Sequence, residues 1–587
     1  MNRGVALDVG RSVITATVLL GVVSLLGFAY TATGGSARGL LVDEMLINLV
    51  LVLGMQVFIG NTGVLSFGHL AFAQIAAYAT AIAVIPVVSK ARSLPDIPFG
   101  LGDIELGPFT GLLVGIAVTV VLGALVGGVV ARAGGLAPTM ITLAVLVVVE
   151  QVVKNWEALT RGAGGLSGVP VIGSSWLYLG AFVALIVACW FQQTRLGRFA
   201  VATREDELAA SALGVRLFTA RWGAWVWSMA LMGLGGALLV LSIGSVTPKQ
   251  FTLDRNILVL AMLVLGGMRT ISGAVTGTLL VTAGNELFRQ LGDRWEIERF
   301  SDLFLGGVLL AVMLLRPGGL LGDRDLLRAL RQRWRPPTRS ATIPAGTDVL
   351  RADDIVVDFG GFRALDGPVV QVRPGEVVGL IGPNGAGKTT LFNVITGLVA
   401  ESSGRVTLGD VDLTESKPHE IARAGLARTF QNLRIFTSMT VRENVELTSL
   451  VAWRHRQGGP SVDALLADAG LTAVADRLAS TLDYGNQRRL ELARAAALAP
   501  AFLLLDEPTS GMSELESLAM AERVRATARA IGAGVLVIDH DLGFIAHISD
   551  HVVVLAQGAV LSEGTPDQVR ADPAVAVAYL GRGASAQ

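Results

Sequence analysis

At 587 residues the chain is longer than one domain usually runs, so at least two are expected. Hydrophobic residues make up 52%, charged ones 16%, and mean hydropathy is +0.58, which excludes an ordinary soluble protein. The net charge of −1 averages over an apolar first half, and the single cysteine, Cys189, excludes an intrachain disulfide. Arginines number 42 and lysines five, so a lysine at a special position is informative.

Apolar runs long enough to cross a bilayer, about 17–25 residues each, fall at 12–31, 41–59, 64–88, 109–130, 136–155, 175–191 and 222–243. A longer run, 256–290, is interrupted by "GGMRTISG", and a last one covers 302–316. Arginine marks the cytoplasmic loops. Arg195, Arg198, Arg204, Arg216 and Arg221 mark one; Arg316, Arg324, Arg328, Arg331, Arg333, Arg335 and Arg339 mark another. An even number of spans must separate two loops on one side, so 256–290 counts as two short helices split at Arg269. Ten spans result, with both termini inside. The first run is read as a retained span, because removing it as a signal would place the remainder's start outside.

Within the spans, "GLGGALL" (233–239) reads as close helix packing. His69 reads as a helix-to-helix hydrogen bond and Glu150 as an acid snorkelling from a helix end, rather than as substrate contacts. The loop "TREDELAASALGVRL" (203–217) differs: Leu208, Ala212 and Val215 recur near helical spacing and give a short apolar stripe. Docking into a soluble partner is preferred to lying on the membrane.

Beyond the basic linker, "GEVVGLIGPNGAGKTTLFNVITG" reads as strand, glycine-rich turn and helix, with Gly382, Gly387, Lys388 and Thr389 at phosphate-loop spacing. Amides of the turn and of the helix start converge on phosphate. Lys388 supplies a point charge to the β and γ phosphates and Thr389 a hydroxyl to Mg2+. "AFLLLDEPTS" (501–510) is an apolar strand ending in two acids. Asp506 suits the Mg2+ shell, and Glu507 suits polarising a water in line with the γ phosphate. "GVLVIDHDLGFI" is a second buried strand, and His540 at its end suits a bond to the γ phosphate or the water.

With "TLDYGNQRRLELARAAAL" (481–498), these motifs resemble the ATP-binding cassette (ABC) family, in its order. The resemblance implies a P-loop NTPase fold that uses ATP and Mg2+. It implies Phe359, 29 residues before Lys388, as a platform for adenine. The whole phosphate loop, Gly382, Pro383, Asn384, Gly385, Ala386, Gly387, Lys388, Thr389 and Thr390, would hold ATP. Gln431 would join the Mg2+ and the water to the transmembrane contact, and Leu482, Asp483, Tyr484, Gly485, Asn486 and Gln487 would complete a partner's ATP site. "RTFQNLRIFTSMTVRENV" and "YGNQRRLELARA" look like the LivG type, from branched-chain amino acid importers. "GNTGVLSFGHLAF", "REDELAASALGV" and "LLRPGGLLG" are similar to LivM, the permease of that family.

The implied organisation is a helical permease at 1–320, a basic linker at 321–347, a cassette at 348–582 and a short tail at 583–587. Glu205, Glu207, Ala209, Ala210 and Gly214 would form the coupling helix. The implied activity is ATP-driven import of branched-chain or related amino acids, small amides or urea, in the cytoplasmic membrane. The alternatives are an exporter or an ATP-gated regulator. Cassettes act in pairs, so the expected partners are LivH-like and LivF-like subunits or a second copy, an extracytoplasmic binding protein, and lipid. No nucleic-acid partner is expected, and substrate contacts stay unassigned.

Three departures stand out. Asp483 replaces the signature serine, Tyr484 its first glycine, and Ser513 stands where an aspartate often serves communication between ATP sites. A carboxylate ~4 Å from a phosphate is repelled by about 4 kcal/mol per unit charge at an effective dielectric of 20. Asp483 is instead expected to cap the helix through the amides of Gly485 and Asn486.

Overall fold

The computed structural model describes residues 3–32, 36–296, 300–322, 348–455 and 460–580. They form two compact units. One runs from the amino-terminal helix to Arg204 and resumes at Leu217; the other holds the carboxyl-terminal half together with Glu205–Arg216. Most of the expected linker and the tail lie outside the described residues.

Among the described residues of the first unit six helices are long and apolar enough to cross a membrane: Val9–Thr31, Arg38–Gly60, Pro108–Val130, Ala137–Asn155, Ser174–Gln193 and Leu217–Ile243. Arg38–Gly60 and Leu217–Ile243 are 78% and 72% buried and form the centre; Pro108–Val130 and Ala137–Asn155, at 28% and 22%, form the rim. Small residues make the centre possible. A Cβ on Gly236 would meet the Ala73 carbonyl at 2.0 Å, so "GLGGALL" is a packing surface. His69 does bridge helices, with Nδ1 2.8 Å from Ser66 Oγ and Nε2 3.0 Å from Ser228 Oγ. Glu150 pairs with Lys154 at 2.5 Å, one turn on.

Ten crossings exceed what length and apolarity support among the described residues, which is six, or eight if each of two bent pairs crosses once. The run 64–88 is helical only from His69 and bends by 115° between His69–Val84 and Val87–Ser93. The run 256–290 does split, by 120°, between Pro248–Gly266 and Ile271–Trp295. The break has a chemical solution. The carbonyls of Leu265 and Gly266, which the interrupted helix leaves without partners, accept the N–H groups of Leu320 and Leu321. The last run gives the shorter helix Leu303–Leu315.

Two short strands of the first unit, β1 (Leu166–Ser167) and β2 (Ser245–Val246), pair antiparallel, and the second unit is built on two sheets. Strands β6 (Val377–Ile381), β11 (Gly534–Ile538), β10 (Phe502–Asp506) and β9 (Leu426–Arg428) are parallel neighbours in that order. On the other side of β6 lie β12 (His551–Ala556), parallel to it, and β13 (Ala559–Gly564), antiparallel to β12. Every residue of β6, β10 and β11 is buried, as a parallel sheet covered on both faces requires. An antiparallel sheet, β4 (Phe362–Asp366), β3 (Leu350–Phe359), β7 (Ser403–Leu408) and β8 (Val411–Asp412), packs beside it, with β5 (Val370–Val372) on β3. Ligands of open parallel sheets gather beyond the strands' carboxyl ends. There β6, β10 and β11 deliver the phosphate loop, Asp506-Glu507 and Asp539-His540.

Candidate functional site

The phosphate loop joins β6 to the helix Lys388–Ile395. Two glycines are forced. Gly382 and Gly387 have φ of +151° and +100°, and a Cβ would meet the Leu555 carbonyl at 2.1 Å in the first and the Ala364 carbonyl at 2.7 Å in the second. Strand β4 thus backs onto the loop, and its hairpin with β3 carries Phe359, paired with Phe362 and 53% exposed. Lys388 Nζ donates to the carbonyls of Gly382 (2.7 Å) and Pro383 (3.0 Å). Burial pushes this ammonium below its ordinary pKa, and Glu507 and Asp506 oppose the shift. Asn384, Gly385 and Thr389 face solvent, Pro383, Gly387 and Thr390 are half-buried, and Ala386 is buried.

Asp506 ends β10 beside Arg428, with Nη2 3.4 Å from Oδ2 and both side chains buried. Arg428 also donates to Asn393 (3.0 Å) and Thr396 (2.7 Å), so it joins the phosphate-loop helix to the acid. Burial raises the Asp506 pKa, Arg428 opposes, and Glu507 adds to the rise. Oδ1 of Asp506 is buried and takes no hydrogen bond among the described residues. Such an atom is costly without a partner, and a divalent cation fits it. No cluster of three metal-type side chains occurs among the described residues. A cation there would therefore draw on nucleotide oxygens as well as on Asp506 and Thr389.

Glu507 sits in the left-handed region, φ +48°, held by its N–H to the Ile538 carbonyl at 2.8 Å. Backbone strain of this kind gathers at functional sites. It turns the carboxylate to His540, whose Nε2 is 2.9 Å from Oε1. His540 is fixed from both sides. Asp539 accepts from Thr509 N (3.1 Å), Thr509 Oγ1 (2.6 Å) and Asp541 N (3.0 Å), and Asp541 caps the helix Leu542–Ile548.

Gln431 lies exposed beyond β9, while its carbonyl accepts from Arg488 Nη2 at 2.7 Å. Arg488 belongs to the signature helix, Tyr484–Ala496. Asp483 is its N-cap: Oδ1 accepts the Asn486 N–H at 2.8 Å and Oδ2 the Asn486 side-chain N–H at 2.7 Å. The expectation of two capped amides is thus met at Asn486 alone. These hydrogen bonds, the backbone one first, hold the Asp483 carboxyl below its usual pKa. Gln487 Nε2 returns to the Leu482 carbonyl at 3.0 Å, and Gly485 lies against the cap.

Glu205–Arg216 folds with the cassette. Asp206 caps the helix Glu207–Ala212 through Ala209 N (2.8 Å) and pairs with Arg434 Nη1 at 2.7 Å. Glu205 accepts from Thr437 Oγ1 (3.0 Å) and Ser438 N (3.2 Å), and the Gly214 carbonyl accepts from Arg423 Nε (3.1 Å). Gly214 has φ +84°, and a Cβ there would lie 2.7 Å from Val451 Cγ1. Ala209, Ala210, Ala212, Leu213 and Val215 are buried, Leu208 is half-buried and Glu207 is exposed. Ala212 and Val215 of the expected stripe are thus buried, and Ala209, Ala210 and Leu213, outside it, are buried with them. Arg428, Arg434 and Arg488 escaped the sequence reading, because one arginine among 42 carries no signal, and so did Asp206, whose partner Arg434 is distant in sequence.

Three family models match. One described as the permease component of branched-chain amino acid transport systems covers residues 37–313, the ABC transporter model covers 365–510, and a branched-chain amino acid ATP-binding cassette transporter model covers 559–585. Over 249 residues the chain is 39% identical to the high-affinity branched-chain amino acid transport ATP-binding protein BraF of Pseudomonas aeruginosa, covering 40% of this chain and 98% of BraF. It is 38% identical over 254 residues to LivG of Escherichia coli, with the same two coverages, 40% and 98%. The ATP-binding protein LptB of the lipopolysaccharide export system of Acidithiobacillus ferridurans is 39% identical over 241 residues, again covering 40% of this chain and 98% of LptB.

Proposed function

Since the chain belongs to the branched-chain amino acid family of ABC transporters, with permease and ATP-binding parts in one polypeptide that couples ATP hydrolysis to transport, we propose that it is one half of an importer. The substrates proposed are branched-chain or related amino acids, small amides or urea, delivered by an extracytoplasmic binding protein. The parts are a permease at 1–320, a linker at 321–347, a cassette at 348–582 and a tail at 583–587. The permease lies in the cytoplasmic membrane among its lipids, with the cassette on the cytoplasmic side. Ten crossings follow if the 115° pair crosses once, both arms of the 120° pair cross separately and Leu303–Leu315 crosses too.

The observation that carries the reading is the seat of Glu205–Arg216, a loop between permease helices that folds as part of the ATPase. Such a loop transmits cassette movement to the helices on either side. In the ATP site, Lys388 and the loop amides would neutralise the phosphates. Thr389 and Asp506 would hold Mg2+, with Gln431 reaching it from the exposed loop; the ion supplies charge neutralisation at the transferred phosphoryl group. Glu507 would take a proton from the attacking water, and His540 would hold Glu507 and the γ phosphate in register. Phe359 would stack on adenine. Leu482, Asp483, Tyr484, Gly485, Asn486 and Gln487 would face the ATP of a paired cassette, whether LivF-like or a second copy.

Proteoliposomes carrying the transporter test the direction. Import requires ATPase activity that rises only with a substrate-loaded binding protein, together with uptake of labelled amino acid. Stimulation by substrate alone from the cassette side would instead establish export, the second reading, which the likeness to an export-system cassette favours.

A further inference from the structure

Tyr484 opens the signature helix, and its hydroxyl is bonded inward to a buried arginine of that helix. It stands half-exposed where the general ABC signature has its first glycine and LivG-like chains commonly have tyrosine, and Arg488 Nη2 donates to its hydroxyl at 2.9 Å. That arginine is buried and fully engaged. Nη1 donates to the Phe430 carbonyl (3.0 Å) and Glu491 Oε2 (3.1 Å), Nη2 also to the Gln431 carbonyl (2.7 Å), and Nε to the Tyr484 hydroxyl (3.3 Å). Glu491 closes the ring by accepting the Phe430 N–H at 3.1 Å. One planar guanidinium therefore ties the exposed tyrosine of the signature to the backbone that presents Gln431.

These two ends serve different nucleotides under the paired-cassette reading, on which this inference rests. The signature faces the partner's ATP; Gln431 faces this chain's own. We propose that Arg488 is a positioning residue that carries the state of one ATP site to the other, through Tyr484 on one side and the Gln431 backbone on the other. A buried guanidinium cannot drop an acceptor without leaving its N–H groups unsatisfied. Displacement of the tyrosine on closure therefore turns the whole fork and moves the two carbonyls with it. Ser513, where an aspartate often links the two sites, is engaged elsewhere: its N–H and hydroxyl both bond Glu516, at 2.9 and 2.8 Å, as a helix cap. The tyrosine–arginine path supplies the link that this serine does not.

The test is the ATP dependence of hydrolysis by the assembled transporter, with thermal melting measured alongside. Two coupled sites give a Hill coefficient above one and at most about two. Tyr484→Phe removes only the hydroxyl, and Arg488→Lys keeps the charge without the fork. Each should bring the coefficient to about one, and the double variant should go no further, because both lie on one path. A merely structural role would lower the melting temperature and leave the coefficient alone. Wild-type cooperativity in Tyr484→Phe, or a wild-type coefficient of one, would overturn the relay. A transporter that hydrolyses ATP as a single-cassette particle in light scattering would overturn the pairing reading instead.

Discussion

Asp483 shows how one side chain can serve the fold and oppose the ligand. Its cap on Asn486 contributes about 1 kcal/mol, whereas a carboxylate brought to ~4 Å from a phosphate costs about 4 kcal/mol per unit charge at an effective dielectric of 20. In the proposed paired assembly the cap would have to yield to the partner's nucleotide, and Asp483 is predicted to brake closure. Asp483→Ser keeps a capping oxygen and removes the charge; hydrolysis at limiting ATP should rise severalfold, and an unchanged or lower rate would refute the brake. Asp483→Ala should lose the cap and melt lower. Because hydrogen bonds depress this carboxyl in the folded chain, its stabilisation is present above the unfolded carboxylate pKa, about 4. It is lost as pH falls through the lower folded value. Melting curves of wild type and Asp483→Ala should therefore stay apart at neutral pH and converge at strongly acidic pH. Glu507→Gln should cut the hydrolysis rate by about 10²–10⁴ while labelled ATP still binds. Lys388 was legible because it is one of five lysines and stands between a strand and a helix, and Asp506 and Glu507 because they end an apolar strand. Arg428 and Arg488 were not, since their meaning lies in carbonyls and acids distant in sequence.

Among the elements, the helix Glu207–Ala212 is the clearest case of a motif whose position was legible and whose contact surface was not. Periodicity picks out Leu208, Ala212 and Val215; the last two are buried, but Leu208 is only half-buried, while Ala209, Ala210 and Leu213 are buried as well and the Gly214 carbonyl accepts from Arg423. Asp206 both caps this helix and pairs with Arg434. The two roles can be separated, because asparagine caps as well as aspartate. Asp206→Asn should preserve the helix and weaken the grip on the cassette by about 1 kcal/mol, the upper range of a partly exposed pair. Substrate moved per ATP hydrolysed should then fall about fivefold, read from parallel uptake and phosphate-release assays. Arg434→Gln should match it, and an unchanged ratio in both would remove the pair from coupling. The bent helix pairs teach the same lesson. Hydropathy reports apolar length, whereas a break at Gly267 exists because Leu320 and Leu321 supply N–H groups to the carbonyls it frees.

For the molecule as a whole, one permease and one cassette per chain leave each ATP site half-built. The site holding Lys388 and Glu507 needs a signature from another polypeptide, and this chain's signature needs another phosphate loop. A homodimer would place Asp483 at both sites and brake both equally. A heteromer with a serine-bearing partner would brake only the site that this chain's signature completes. Tagged and untagged copies expressed together distinguish the two assemblies. Under the heteromeric reading, the tagged chain brings down a second permease and cassette and no untagged copy. Recovery of the untagged copy without other proteins would establish the homodimer. ATP titrations then sharpen the result. In the heteromer Asp483→Ser should relieve one site and leave the partner-signature site unaltered, so the curve shifts only in part. In the homodimer both sites shift together, and the curve moves without changing shape.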